Sequence, residues 1–104
     1  MTARYYDYDK ATMLNAAYDV FDSIGAMIQH VNSNLGTIIF QMDPQIHLKM
    51  NFEVRFPKKE TEISFLDTKN QSDLNASEQQ CAQIIFEELD AKLKNAHVTR
   101  KTRR

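Results

Sequence analysis

Three histidines and one cysteine are the residues of this chain best suited to metal or nucleophilic chemistry. No two of His30, His47 and His97 form an H-x-H or H-x-x-x-H pair, which would place two imidazoles on one face of a strand or helix. The single cysteine, Cys81, excludes an internal disulfide and a cysteine-clustered zinc site. The sequence therefore predicts no metal site and no cofactor.

Cys81 lies near the first turn of a predicted helix, where the helix dipole can stabilise a thiolate. His30 could act as its base if that helix crosses the strand that carries the histidine. The alternative is that Cys81 is a small apolar core residue, since free cysteine is among the most buried residue types. We favour the core interpretation.

Acidic side chains cluster along both predicted helices, and paired carboxylates can do acid–base catalysis if a cleft perturbs their pKa values. Helix capping explains the acids before the first helix, and solvated helix faces explain the others. These acids are Asp7, Asp9, Asp19, Asp22, Glu87, Glu88 and Asp90. Because the sequence also shows no Gly-rich phosphate loop, nucleophile elbow or dinucleotide fingerprint, we predict that the protein is not an enzyme.

The composition is that of one soluble globular domain. The chain has 104 residues, of which 42% are hydrophobic and 26% are charged, and this length suits a single hydrophobic core. We predict one domain over residues 1–99 with a net charge of −5, followed by a basic, disordered tail over residues 100–104 with a charge of +4. Weak nucleic-acid binding through this tail, RKTRR, is an alternative function, although no aromatic residues separate its charges.

Neither a membrane span nor a secretion signal is evident. No stretch approaches the roughly 18–20 consecutive apolar residues of a membrane-spanning helix. The opening residues, MTARYYDYDK, lack the apolar core of a signal peptide. We therefore expect a cytoplasmic protein, or a cell-envelope protein if a signal has been removed from a longer precursor.

The clearest structural signal is the stretch IHLKMNFEVRF, residues 46–56, which alternates apolar and polar residues throughout. This period of two predicts a strand with one apolar row and one polar row. Shorter strands are predicted over residues 26–31, 37–42 and 61–68, and they are separated by turns of three to five residues. Turns this short join antiparallel neighbours, because a parallel return needs a crossover of a dozen residues or more.

Two helices flank these strands. Apolar residues recur at helical spacing over residues 9–24, with Asp7 or Asp9 placed to cap the start and Gly25 to end the helix. The second helix is predicted over residues 78–95, with Ser77 and Gln80 as a capping box. The sequence thus predicts an α+β fold in which an N-terminal helix, a four-stranded antiparallel meander and a C-terminal helix follow in order. Both helices cover one sheet face and leave the other in water.

Tyr5, Tyr6 and Tyr8 form the one aromatic cluster of the sequence. They could pack as a lead-in to the first helix, or dock on a partner, since tyrosine suits contacts that are partly wet. We favour packing. Ile84 lies off the apolar stripe of the second helix and is a further candidate for a surface contact.

The segment RYYDYDKATMLNAAYDVFDSIGAMIQHVNSNLGTIIF has a characteristic order: an aromatic-Asp start, a helix with Ala-Ala and Val-Phe pairs, Ile24-Gly25, a strand, an Asn-rich turn and Gly36. It resembles small bacterial domains of uncharacterised lipoproteins and other envelope proteins. It is also similar to the helix-and-sheet modules of an outer-membrane assembly lipoprotein, in the helix-grip style. The resemblance covers roughly residues 4–66 and implies a binding or scaffolding domain without catalytic residues.

The polar sheet face is the predicted interaction surface. Two apolar residues, Ile39 and Leu66, should lie there beside His47, Lys49 and Arg55. We therefore predict a non-enzymatic protein-interaction or scaffolding domain that could associate with itself, through this face or through a sheet edge.

The alternative is a small-ligand binder with a pocket between the helices and the sheet. Methionines fill irregular cavities readily, although they fill ordinary cores as well. The predicted pocket is lined by Met27, Met42, Met50 and Phe52.

Overall fold

The computed structural model describes residues 3–68 and 74–102, with side chains described as far as Lys94. Seven elements follow in order: β1 Ala3–Tyr6, α1 Lys10–Ile24, β2 Met27–Asn32, β3 Thr37–Asp43, β4 Ile46–Arg55, β5 Glu60–Asp67 and α2 Ala76–Thr102. α2 extends to Thr102, seven residues beyond its predicted end at 95, so the helix includes residues 100–102 of the predicted basic tail. Residues 103–104 lie outside the described residues, and nucleic-acid binding by the tail stays a prediction.

The limits of α1 follow the predicted capping residues. The Asp9 carboxylate accepts a hydrogen bond of 2.8 Å from the backbone N–H of Thr12, and this bond lowers the pKa of Asp9. Gly25 ends the helix in the left-handed conformation, with φ of 75°, and its N–H donates to the carbonyl of Phe21. Of the two predicted caps, Asp9 is the one used.

The capping box of α2 lies two residues before the predicted one. The Asn75 N–H donates to Glu78 Oε1 at 2.8 Å, and the Glu78 N–H donates to Asn75 Oδ1 at 2.9 Å. The prediction that Ser77 and Gln80 form this box was wrong, because Asn is an equally good cap and Glu78 supplies a charged acceptor. The burial of Leu74 in the core also fixes where the chain enters the helix.

One antiparallel sheet contains all five described strands, in the order β1-β5-β4-β3-β2. The meander from β2 to β5 was predicted, but the prediction of four strands with a helix at the N-terminus was wrong. β1 precedes α1 and pairs with β5, with Ala3 opposite Ser64 and Tyr6 opposite Thr61. Four residues are too few for periodicity to reveal a strand, and β1 is stabilised by its pairing with β5 and by side-chain contacts with α2.

The core lies between the sheet and the two helices, which pack on one sheet face as predicted. Four phenylalanines cross this core as a chain of ring contacts. The ring centres of Phe21 in α1 and Phe40 in β3 are 4.6 Å apart. The ring centres of Phe40 and Phe65 of β5 are 6.2 Å apart, and those of Phe65 and Phe86 of α2 are 5.1 Å apart. Edge-to-face and tilted contacts at these distances are the favoured geometry for aromatic rings.

The short strand β1 is anchored to α2 by side chains on the helix side of the sheet. Asp90 accepts hydrogen bonds from Arg4 Nη1 at 2.7 Å and from the Tyr6 hydroxyl at 2.8 Å. The Arg4 guanidinium also lies 4.7 Å from the ring centre of Phe86. Burial, together with the bond to Asp90, raises the pKa of Tyr6. Tyr6 is buried and Tyr8 packs against the core, so both confirm the packing interpretation, whereas Tyr5 is exposed.

Candidate interaction surface

The strand register brings three of the five predicted surface residues into one row on the open sheet face. Lys49 of β4 lies opposite Ile39 of β3 on one side and opposite Leu66 of β5 on the other. All three are half-buried. The methylene chain of a lysine can cover adjacent apolar surface. Lys49 therefore shields part of Ile39 and of Leu66 from water.

The other two predicted surface residues lie apart from this row. His47 is opposite Gln41, and its Nε2 lies 3.3 Å from the carbonyl oxygen of Pro44. Arg55, at the far end of β4, forms ion pairs with Glu62 and with Glu53, the latter at 3.1 Å. The hydrogen bond to Glu62 is the main reason that the pKa of Arg55 is raised. At this end of the open face, the charges of Arg55, Glu53 and Glu62 thus pair with one another.

One group of exposed apolar side chains that sequence reasoning missed lies at the edge of the sheet formed by β2. We call β2 with the turn that follows it the β2 edge, defined by Met27, Ile28, Val31 and Leu35. Met27 is 63% exposed, Ile28 and Val31 are each 38% exposed, and Leu35 is 70% exposed. β2 pairs with β3 on one side and, within the described residues, meets no strand on the other. A row of backbone N–H and C=O groups on that side is therefore available for pairing.

A bulge at Gln29 decides which way the side chains of β2 point. Ile28 lies opposite Phe40 and Val31 opposite Ile38, so both face the helix side of the sheet. Met27 and His30 lie opposite Gln41 and Ile39 and face the open side. The strand itself was predicted over residues 26–31, but strict alternation would place Ile28 and Val31 on opposite faces, whereas the bulge brings both onto one face.

The β2 edge lacks the charged side chains that commonly protect an edge strand against pairing. Natural edge strands are commonly short, or carry lysines or other charges. β2 has six residues, MIQHVN, and none of them is Asp, Glu, Lys or Arg. The opposite edge, β1, has four residues, of which Arg4 is held by Asp90. The two edges of one sheet therefore differ in their ability to accept a strand.

The structure does not bring together the four residues of the predicted pocket. Met50 and Phe52 are fully buried in the core, whereas Met27 is exposed on the open face of β2. A groove of about 320 Å³ lies elsewhere, between the β3–β4 turn and the start of α2. The groove is lined by Met42, Asp43, Ile46, Ser77, Gln80, Cys81 and Ile84.

Cys81 borders this groove as a buried core residue, which confirms the interpretation favoured from the sequence. Burial, together with the carboxylates of Asp43 and Glu78, raises the pKa of its thiol to about 11. His30 faces the open side of the sheet, whereas Cys81 packs on the helix side, so the structure does not pair them. The raised pKa and the separation from His30 both disfavour a nucleophilic thiolate at Cys81.

Alkylation of Cys81 in the native protein is therefore expected to be slow. Two pKa units above the ordinary thiol value of 9 lower the thiolate fraction near pH 8 by roughly a hundredfold. Iodoacetamide should modify the native thiol at least that much more slowly than the thiol in urea, followed by mass spectrometry. A native rate equal to the rate in urea would contradict the burial of Cys81.

Across the described residues, no three His, Cys, Asp or Glu side chains lie close enough together to hold a metal ion. Asp9 caps α1, and Asp90 anchors β1. In the described part of the chain, no helix is long and apolar enough to cross a membrane.

Fold and surface together define a small α+β domain with one antiparallel sheet, two helices on one face and an uncovered edge strand. Comparison with protein-family models, with curated proteins and with solved structures finds no match. The resemblance to bacterial envelope domains therefore stays a prediction.

Proposed function

We propose that this protein is a non-enzymatic protein-interaction domain and that its binding surface is the β2 edge. The observation that carries the proposal is an uncharged, six-residue edge strand that exposes Met27, Ile28 and Val31 beside unpaired backbone groups. A strand added to such an edge gains backbone hydrogen bonds, and its alternate side chains gain apolar contacts. The partner supplies an extended segment, and this domain supplies the template.

The energetic case for the β2 edge rests on the apolar surface that remains in water. Fully burying a Val, Ile or Met side chain is worth about 1.5–3 kcal/mol. Completing the burial of Met27, Ile28 and Val31 would therefore contribute on the order of 3 kcal/mol, before backbone hydrogen bonds are considered. On the open face, Ile39 and Leu66 are half-buried already and offer less.

Selection from a random peptide library displayed on phage tests this proposal, with the protein kept dilute. Peptides that alternate apolar and polar residues should be enriched and should bind with micromolar affinity. Their binding should be lost in Val31→Lys, which puts a charge on the β2 edge, and kept in the matched control Leu66→Lys on the open face. Far-UV circular dichroism confirms that both variants are folded.

Two results would contradict the proposal. One is a selection in which no peptide is enriched over the unselected library. The other is the reverse dependence, in which Leu66→Lys abolishes binding and Val31→Lys leaves it unchanged, because the open face would then be the binding surface.

A further inference from the structure

We infer that the occupant of the β2 edge is a second copy of this chain, joined by antiparallel pairing of the two β2 strands about a two-fold axis. This inference rests on the proposed function, since it names the partner of the same surface. In the register that we propose, Ile28 lies opposite Val31 of the second copy, and the two sheets become one continuous sheet of ten described strands.

The charge of β2 is the first argument for a second copy. A two-fold interface brings the same patch of both copies together, so a charged patch meets its own charge unless the register separates them. Like charges directly opposite one another destabilise an antiparallel pair. β2 contains no Asp, Glu, Lys or Arg, and it can therefore pair with itself without this cost.

The directions of the side chains are the second argument, and they select one register. Opposite residues of an antiparallel pair must lie on the same sheet face. Ile28 and Val31 both face the helix side, so pairing them places two apolar contacts, related by the axis, between the helix layers of the two copies. The same register sets Met27 opposite Asn32 and Gln29 opposite His30, and all four of these face the open side.

Neighbouring registers fail this requirement. A shift by one residue sets Ile28 opposite His30 of the second copy, and these side chains point to opposite faces of the sheet. A shift by one in the other direction sets Ile28 opposite Asn32, which combines the same conflict of faces with an apolar–polar contact. The bulge at Gln29 thus makes the six-residue strand complementary to itself over its whole length in this register, whereas registers centred on Ile28 or on Val31 pair only part of the strand.

The other edge of the sheet argues against a head-to-tail assembly. Pairing β2 of one copy with β1 of the next would produce an open chain of molecules. β1 offers only four residues. Arg4, which forms an ion pair with Asp90 and lies over the ring of Phe86, keeps a charge at this edge. Pairing of β2 with β2 instead joins the exposed apolar strand of one copy to that of the other in a closed dimer.

Sedimentation velocity over a concentration series from low micromolar to near millimolar tests the second copy. We expect the wild-type chain to shift from monomer to dimer over this range. Val31→Lys should remain a monomer at every concentration, and Leu66→Lys should dimerise like the wild type. Far-UV circular dichroism again confirms the folding of both variants.

Oxidative cross-linking of a mixture tests the register. One preparation carries Ile28→Cys, the other Val31→Cys, and both carry Cys81→Ala. In the proposed register, position 28 of one copy lies opposite position 31 of the other. The mixture should therefore form a covalent dimer in at least tenfold higher yield than either preparation alone. A mixture of His30→Cys with Val31→Cys is the control, and it should give no such excess.

The outcomes separate the two proposals. If the wild-type chain stays monomeric but the β2 edge still binds selected peptides, the proposal of a dimer is wrong. The proposed function is then unaffected. A dimer that Leu66→Lys disrupts and Val31→Lys does not would overturn pairing through β2, and the peptide selection alone would then decide the proposed function. A dimer disrupted by Val31→Lys, without an excess of cross-linking between positions 28 and 31, overturns the register.

Discussion

Replacing Gly36 with alanine is expected to lower the free energy of unfolding by more than about 3 kcal/mol. Gly36 has φ of 77°, and an added Cβ would lie 2.5 Å from the carbonyl oxygen of Phe52 and 2.7 Å from Lys10 Cε. The lysine can move, but the Phe52 carbonyl belongs to β4. Gly36 is also hydrogen-bonded there, since its carbonyl accepts from the Phe52 N–H at 2.7 Å. Relief of the clash therefore requires displacement of a central strand.

Gly25→Ala is the matched control, because Gly25 has nearly the same backbone conformation. Its φ is 75°, and no atom lies within 4 Å of an added Cβ. Left-handed backbone alone costs an alanine about 1–2 kcal/mol. Urea denaturation of both variants measures the difference, which reports the close approach of Gly36 to β4. Equal losses of stability in the two variants would contradict that approach.

Phe65→Ala is expected to lower the free energy of unfolding by about 3–5 kcal/mol. Phe65 is buried between Phe40 and Phe86, and through these rings it connects the contacts of α1 and α2 with the sheet. Removal of the ring leaves a cavity that neither helix can fill without losing its other contacts. Urea denaturation at low temperature, where a weakened variant stays folded, measures the loss.

Leu66→Ala supplies the comparison for this truncation, since the next residue of β5 points to the open face. Leu66 is half-buried against Lys49, so its truncation should cost about 1 kcal/mol. A loss for Leu66→Ala as large as that for Phe65→Ala would mean that the helices cover the other face of the sheet.

The elements that could be predicted from the sequence are those whose own residues determine them. β4 alternates for its whole length, and α1 carries a cap, an apolar stripe and a terminal glycine, so local chemistry alone locates both. The turns were short enough to require antiparallel neighbours. The α+β class, the meander and the side of the sheet covered by the helices follow from these local signals.

Interactions distant in sequence explain the parts that could not be predicted. β1 exists because β5 and α2 hold it, through contacts such as that between Arg4 and Asp90. The apolar row of residues 46–56 was expected to face the core for its whole length. Its last two residues, Val54 and Phe56, are exposed. The pattern specifies a face, but it does not specify how far the helices extend over it.

The candidate surface shows the same division. The strand pattern located Ile39, Lys49 and Leu66 on the open face, and the register then showed that they form one row. The β2 edge required two facts that a pattern does not contain, the place of β2 at the end of the strand order and the bulge at Gln29. Its lack of charge was the one signal available in the sequence.

Amide hydrogen exchange at low and at high protein concentration is the most direct test of the claim that the β2 edge accepts a strand from a second copy. The dimer predicts that concentrating the protein slows exchange in Met27–Asn32, while β1, the other edge strand, exchanges at an unchanged rate. Exchange in β2 that does not depend on concentration, or slowing confined to β4 and β5, would contradict the claim.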